Sequence, residues 1–147
     1  MLYSPLIKKA IQICYDVHKD QKDLAGYPYI FHPYHLAEQM DTENQIIVAL
    51  LHDVVEDSDY NFDDLIKLGF NDEVVDAVEA LTRRKNQSYN SYIERIKLNP
   101  IAIRVKLADL EHNMDTTRFE TISESDQRRL EKYKSAYERL LKCVRKR

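Results

Sequence analysis

Residues 46–51, Ile-Ile-Val-Ala-Leu-Leu, are apolar on every side and run directly into His52-Asp53-Val54-Val55-Glu56-Asp57. A helix that is apolar all round belongs at the centre of a fold, with other elements packed about it. Thr42 and Gln45 form a capping-box pattern just upstream, so the spacing predicts one central helix over roughly 43–57. On such a helix His52 stacks over Glu56 and Asp53 over Asp57. Three carboxylates and an imidazole then crowd a helix that is otherwise apolar, with no lysine or arginine inside the segment. Unpartnered buried carboxylates are costly. A bound divalent cation is the simplest neutraliser.

The remaining chain supplies the surroundings. Ser4-Pro5 reads as an N-cap with proline at the first helical position. Ile7, Ala10, Ile11, Cys14, Val17 and His18 mark one face of the helix that follows. Residues 19–31 read as a loop punctuated by Gly26 and Pro28, and a short helix is expected after Pro33. Asn61 with Asp64, Asn71, Asn99-Pro100 and Ser123 each begin a further helix, and Gly69 ends one. The last helix turns Leu130, Tyr133, Tyr137, Leu140, Leu141 and Val144 inward. The expected fold class is all-α, with about seven or eight helices in a single domain over residues 1–147.

The bulk properties exclude several functions. The net charge of −3 gives no reason to expect nucleic acid as partner. No stretch approaches the roughly 18 apolar residues of a membrane span, and no signal peptide is visible. Two cysteines, Cys14 and Cys143, lie far apart and outside any ligand motif. Reduced thiols in a cytoplasmic protein are expected. Two glycines in the chain leave no room for a glycine-rich phosphate loop. The ten tyrosines sit mostly at helical core spacing, with Tyr29 the exception near the proposed site.

Three places supply candidate ligands: His32 before Pro33, His52-Asp53 in the central helix, and Asp109 in a late helix. Two imidazoles and two carboxylates suit Mn²⁺, Fe²⁺ or Zn²⁺, and Mn²⁺ best tolerates the expanded coordination that leaves room for water. Such an ion acidifies water and neutralises phosphate charge. Glu56 and Asp57 are placed to orient or deprotonate that water. Asn113 shares a face with Asp109. His35 reads as a surface or supporting residue, and His18 as a core histidine. His112 is equally a partner of a ligand or a packed residue. Arg83-Arg84-Lys85 is equally a phosphate contact or a basic helix end.

Three segments together resemble the HD-domain phosphohydrolases, and among them the hydrolase domain of RelA/SpoT-type enzymes and their small relatives. They are Pro-Tyr-Ile-Phe-His-Pro (28–33), Ala-Leu-Leu-His-Asp-Val-Val-Glu-Asp (49–57) and Lys-Leu-Ala-Asp-Leu-Glu-His-Asn-Met (106–114). They occur in the family's order at similar separations, and the likeness covers roughly residues 5–140. It implies an all-helical HD fold with Mn²⁺ on His32, His52, Asp53 and Asp109. It also implies hydrolysis assisted by Glu56 and Asp57, and Asn113 beside the substrate. The reaction implied is removal of the 3′-pyrophosphate from guanosine tetra- and pentaphosphate by a stand-alone hydrolase.

The chain departs from the family at three positions. Asp23 stands where the family carries an arginine that shapes the nucleotide pocket, and Leu110 and Asp115 replace two more. An acid in place of a phosphate-facing arginine is expected to weaken polyphosphate binding. Three alternatives therefore stand beside the alarmone reading: another nucleotide substrate, including a nicotinamide dinucleotide phosphate; a nucleotide-binding module without turnover; and an inert helical scaffold.

Overall fold

The computed structural model describes residues 1–145, and among them only helices and connecting loops occur. The helices are α1 (Pro5–His18), α2 (Phe31–Glu38), α3 (Glu43–Leu51), α4 (Val54–Asp57), α5 (Phe62–Lys67), α6 (Asp72–Leu81), α7 (Tyr89–Ile96), α8 (Pro100–Asn113) and α9 (Glu124–Arg145), with a 3-10 turn at Thr116–Arg118. Counting α3 and α4 as the one helix expected from the sequence gives eight. An isolated antiparallel bridge between Lys22 and Pro28 closes the loop between α1 and α2.

Local chemistry sets most boundaries. The Ser4 hydroxyl accepts from the Ile7 amide with Pro5 inside the first turn. Thr42/Gln45 and Asn61/Asp64 form full capping boxes, which satisfies amides that a helix start leaves unpaired. Asn71 and Asn99 cap α6 and α8. At the end of α5, Gly69 takes φ +100°. Its amide bonds Ile66 and the Phe70 amide reaches back to Leu65, both to carbonyls. This is a Schellman closure, which needs a residue free to enter the left-handed region.

The core is built around α3. Ile46, Ile47, Val48, Ala49, Leu50 and Leu51 are all buried, and α1, α2, α6 and α8 pack directly against this helix. The central placement expected from its apolar surface is the one found. α9 lies along α8 and buries only Ala136 and Leu140. Val144, expected to face inward, is exposed, while the preceding Cys143 packs against the core. No helix among the described residues is long and apolar enough to cross a membrane.

Two boundaries differ from the sequence reading, and both lie at the site. The expected 43–57 helix breaks at His52-Asp53. Asp53 sits at φ −109°, ψ 2°, in the sparsely populated bridge region where site residues are often found. The His52 ring nitrogen Nδ1 lies 2.6 Å from the Ala49 carbonyl, so that carbonyl is turned to the side chain. The second difference is His32, expected in a loop. α2 starts at Phe31, so His32 lies in its first turn and Pro33 follows inside the helix. Proline is tolerated there because first-turn amides have no intrahelical partner.

Candidate metal centre

The helix break aims two side chains at one point. His52 is buried, and its Nδ1 donates to the Ala49 carbonyl at 2.6 Å. That bond leaves Nε2 with its lone pair outward. Nε2 is buried with no hydrogen-bond partner of its own. It lies 3.1 Å from Asp53 Oδ2 and 3.7 Å from Asp109 Oδ1. His32, from α2, brings Nε2 to 2.7 Å from the same Asp109 oxygen. The ligand atoms of His32, His52 and Asp109 all fall within 4.8 Å of one another. Asp53 joins them through His52, and the Tyr29 hydroxyl donates to its Oδ2.

Charge and burial in this cluster suit a cation. Burial works against ionisation of Asp109, but the Lys106 ammonium and the imidazoles of His32 and His52 hold it well below the usual carboxylate range. Asp53 is likewise lowered: burial opposes ionisation and His52 favours it. Burial would make His52 a weaker base, yet Asp53 and Asp109 raise it well above the ordinary imidazole range. Two ionised carboxylates therefore face two imidazoles, and a proton or a divalent ion competes for the same lone pairs. A buried Nε2 without a partner, beside two carboxylates, fits a divalent ion held by nitrogen and oxygen ligands.

A supporting ring holds the ligands. His32 Nδ1 lies 2.7 Å from His112 Nδ1. Burial, the nearby His32 and Arg118 push His112 down to about 4. It is then neutral and accepts from His32, which leaves His32 Nε2 for ligation. The sequence left His112 open between two readings, and the structure puts it against a candidate ligand. Such contacts fix the tautomer and orientation of a ligating histidine. Asp109 Oδ2 takes Lys106 Nζ at 2.8 Å, and Oδ1 also accepts the Asn113 amide at 3.2 Å. His18 is buried and bonds Gln21. His35 is set apart from the ligands, with its ring 4.4 Å from His112.

Glu56 and Asp57, successive residues of α4, point to different surroundings. Glu56 lines the cleft, and its Oε1 accepts the Arg83 backbone amide at 2.8 Å. The surrounding walls desolvate it enough to raise its pKa above the ordinary range, although that amide works the other way. Asp57 is not among the lining residues. It accepts from Gln21 Nε2 at 3.3 Å and lies 3.9 Å from His18.

A profile of the HD domain matches residues 10–140. The chain belongs to the HD-domain family. This family implies a divalent metal, and the His32, His52 and Asp109 triad is where this member can hold one. The HD domain is similar to a probable guanosine-3′,5′-bis(diphosphate) 3′-pyrophosphohydrolase of Synechocystis sp., 34% identical over 140 residues, covering 85% of this chain and 18% of the relative. The enzyme of that name from Aquifex aeolicus is 33% identical over 123 residues, covering 75% and 17%. The chain thus spans less than a fifth of the length of these relatives. A solved structure described as a metazoan ortholog of SpoT that hydrolyses ppGpp superposes with a TM-score of 0.77 at 26% identity, covering 99% of this chain and 88% of that one.

Above the ligands of the HD domain opens a cleft of about 470 Å³. Arg83, Lys106, Arg129 and Lys132 line it, together with Tyr89, Tyr92 and Tyr133. Lys132 Nζ sits 4.4 Å over the Tyr89 ring, and Lys106 Nζ 5.1 Å over that of Tyr92. Burial and the neighbouring cations Arg83, Lys106 and Arg129 lower the Lys132 pKa, as expected where positive charges are gathered. Of the 83–85 basic run, only Arg83 reaches the cleft, and Arg84 pairs with Glu79. The three tyrosines, read as core from their spacing, line the cleft. Lys132, Arg129 and Arg118 carried no local signal, because each is an ordinary residue of an amphipathic helix or a polar turn.

The charge reversal at Asp23 also reads differently in three dimensions. Asp23 Oδ2 pairs with Arg118 Nη1 at 2.7 Å. The acid does not face incoming phosphate unopposed, and the neutralised pair offers phosphate neither repulsion nor net attraction.

Proposed function

We propose that this domain is a metal-dependent phosphohydrolase that removes the 3′-pyrophosphate from guanosine tetra- and pentaphosphate, with Mn²⁺ as its ion. The observation that carries the reading is the meeting of His32, His52 and Asp109 beneath a cleft lined by cations and by Glu56. Relatives and a structural neighbour with this activity by name support the choice of substrate. Two free thiols fit a cytoplasmic location, which is part of the reading. We read the chain as a single HD hydrolase domain.

His32, His52, Asp53 and Asp109 would hold the ion, which supplies Lewis acidity and neutralises phosphate charge. The chain's own groups do the rest. Lys106, Arg83 and Lys132 face the phosphates, and Asn113 steadies Asp109 beside them. Glu56 Oε1 is tied to the Arg83 amide, so Oε2 is free to take a proton from the attacking water. Desolvation makes Glu56 a stronger base than an exposed glutamate. The new P–O bond forms at the 3′-linked phosphorus, and the bond to the ribose 3′ oxygen breaks. That oxygen takes a proton from solvent and pyrophosphate departs. Asp57 acts through Gln21, whose amide it holds at the cleft edge.

The test is chromatographic analysis of guanosine tetraphosphate incubated with the Mn²⁺-loaded protein. GDP and pyrophosphate are the expected products. Unchanged substrate in the presence of folded, Mn²⁺-loaded protein would overturn the proposal. Turnover of a different nucleotide in a panel would keep the hydrolase and move the substrate.

A further inference from the structure

The cleft has two walls of different chemistry. One carries Arg83 and Lys132, with Lys106 paired to Asp109 and Arg129 paired to Asp126. The other is made by the α1–α2 loop and the segment after α8, and includes Asp23, Leu24, Arg118, Phe119 and Ile122. The Asp23–Arg118 pair joins the two segments of this second wall across 95 residues of sequence. We infer that Arg118, held in place by Asp23, reads the acceptor edge of the substrate's nucleobase. This rests on the nucleotide reading above and adds the residue that selects the base.

Arg118 is fixed before any ligand arrives. Nη1 donates to Asp23 and Nη2 donates to the His112 carbonyl at 3.2 Å. Nε is buried without a partner. Asp23 is itself locked, since its Oδ1 accepts the amides of Ala25 at 2.9 Å and Tyr27 at 3.0 Å. The turn it braces passes through Gly26 at φ +91°, which favours glycine. A guanidinium has five N–H groups. Two are engaged and one is buried, so one hydrogen on each Nη is left for a ligand in the cleft that Arg118 lines.

The surroundings narrow the ligand class. Asp23 cancels the charge of Arg118, so this pair offers hydrogen bonds without the attraction for phosphate that Arg83 and Lys132 have. Leu24 is 74% exposed and Ile122 44% exposed, which leaves apolar surface in the cleft that Arg118 also lines. A planar donor group next to apolar faces suits a flat heterocycle carrying acceptors. The O6 and N7 acceptors of a 6-oxopurine match a guanidinium fork, whereas adenine presents its N6 amino donor there. The cationic wall takes the phosphates and the Asp23–Arg118 wall takes the base.

The experiment compares guanosine and adenosine 3′,5′-bis(diphosphate) as substrates, and GDP and ADP as ligands by calorimetry, in wild type, Arg118→Ala and Asp23→Asn. Wild type is expected to prefer guanine in both assays. Arg118→Ala should raise KM for the guanosine substrate by about tenfold to a hundredfold, move kcat less, and leave the adenosine substrate and the metal content unchanged. Asp23→Asn keeps the acceptor for the turn and loses the ion pair, so it should erode the same preference in part. If Arg118→Ala does not fold, Asp23→Asn decides alone. An unchanged guanine-to-adenine ratio in a folded variant, or no guanine preference in wild type, overturns the inference. GDP selectivity that depends on Arg118 in a protein that hydrolyses neither substrate would sink the hydrolase reading and leave this one standing.

Discussion

The metal centre and the cationic wall lie in one cleft yet are built in opposite ways. The centre is buried, and each ligand is held by a second group: His52 by the Ala49 carbonyl, His32 by His112, Asp53 by Tyr29, Asp109 by Lys106 and Asn113. Among the described residues, the wall's unpaired cations, Arg83 from the α6–α7 connection and Lys132 from α9, are exposed, and Arg129 of α9 is tied to Asp126. Precision matters where an ion must be bound at fixed distances. Positive potential matters where a flexible polyphosphate must be attracted, and long side chains on separate elements suffice for that. Mutations in the two regions should therefore fail differently.

The largest effect is expected at the centre. Asp109→Ala removes a ligand and leaves the Lys106 ammonium without its partner at 2.8 Å. Loss of one member of a buried pair typically costs about 3–5 kcal/mol, so urea denaturation should show a large drop in stability together with loss of bound metal. If stability and metal content both survive, the two regions are not distinct in the way described. Next comes the group between them. Glu56→Gln should retain the metal and lose roughly 10²–10⁴-fold in kcat. In wild type, the acidic limb of kcat against pH should lie above the ordinary glutamate range, because desolvation raises the Glu56 pKa and only the deprotonated form accepts a proton. A limb at the ordinary position would remove Glu56 from the role of base.

The wall should respond more mildly. Lys132→Ala is expected to raise KM about tenfold, with kcat, metal content and stability little changed, as for loss of one charge-assisted phosphate contact. A fall in metal content would show that the wall supports the centre. The smallest effect lies outside both. Thr42→Ala removes the capping box of α3 and should cost about 1 kcal/mol by denaturation. KM and metal affinity should not move; a change in either would mean that α3 transmits its stability into the site.

The same contrast explains what could be read from the sequence. The cap residues Ser4, Thr42, Asn61, Asn71 and Asn99, and Gly69, act on amides or carbonyls a few positions away, so their signals are local and the helix boundaries followed. α3 declared itself by being apolar all round. The centre was legible because His52 and Asp53 sit inside that apolar run, where unpartnered polar groups demand an explanation. Its finer geometry was not: nothing local required the break at Asp53, or the early start of α2 that puts His32 on a helix. The bonds Tyr29–Asp53, His32–His112 and Asp23–Arg118 join residues distant in sequence. Lys132 and Arg129 look like any solvated residue of α9 until the fold lays that helix beside α8.

The central claim is that four side chains from three places in the chain hold one divalent ion on which the reaction depends. It is tested most directly by metal stoichiometry after Mn²⁺ loading and removal of free ion, in wild type and in folded His52→Ala. The account predicts about one ion per chain in wild type and almost none in the variant. An equal ion content in the two proteins would contradict it.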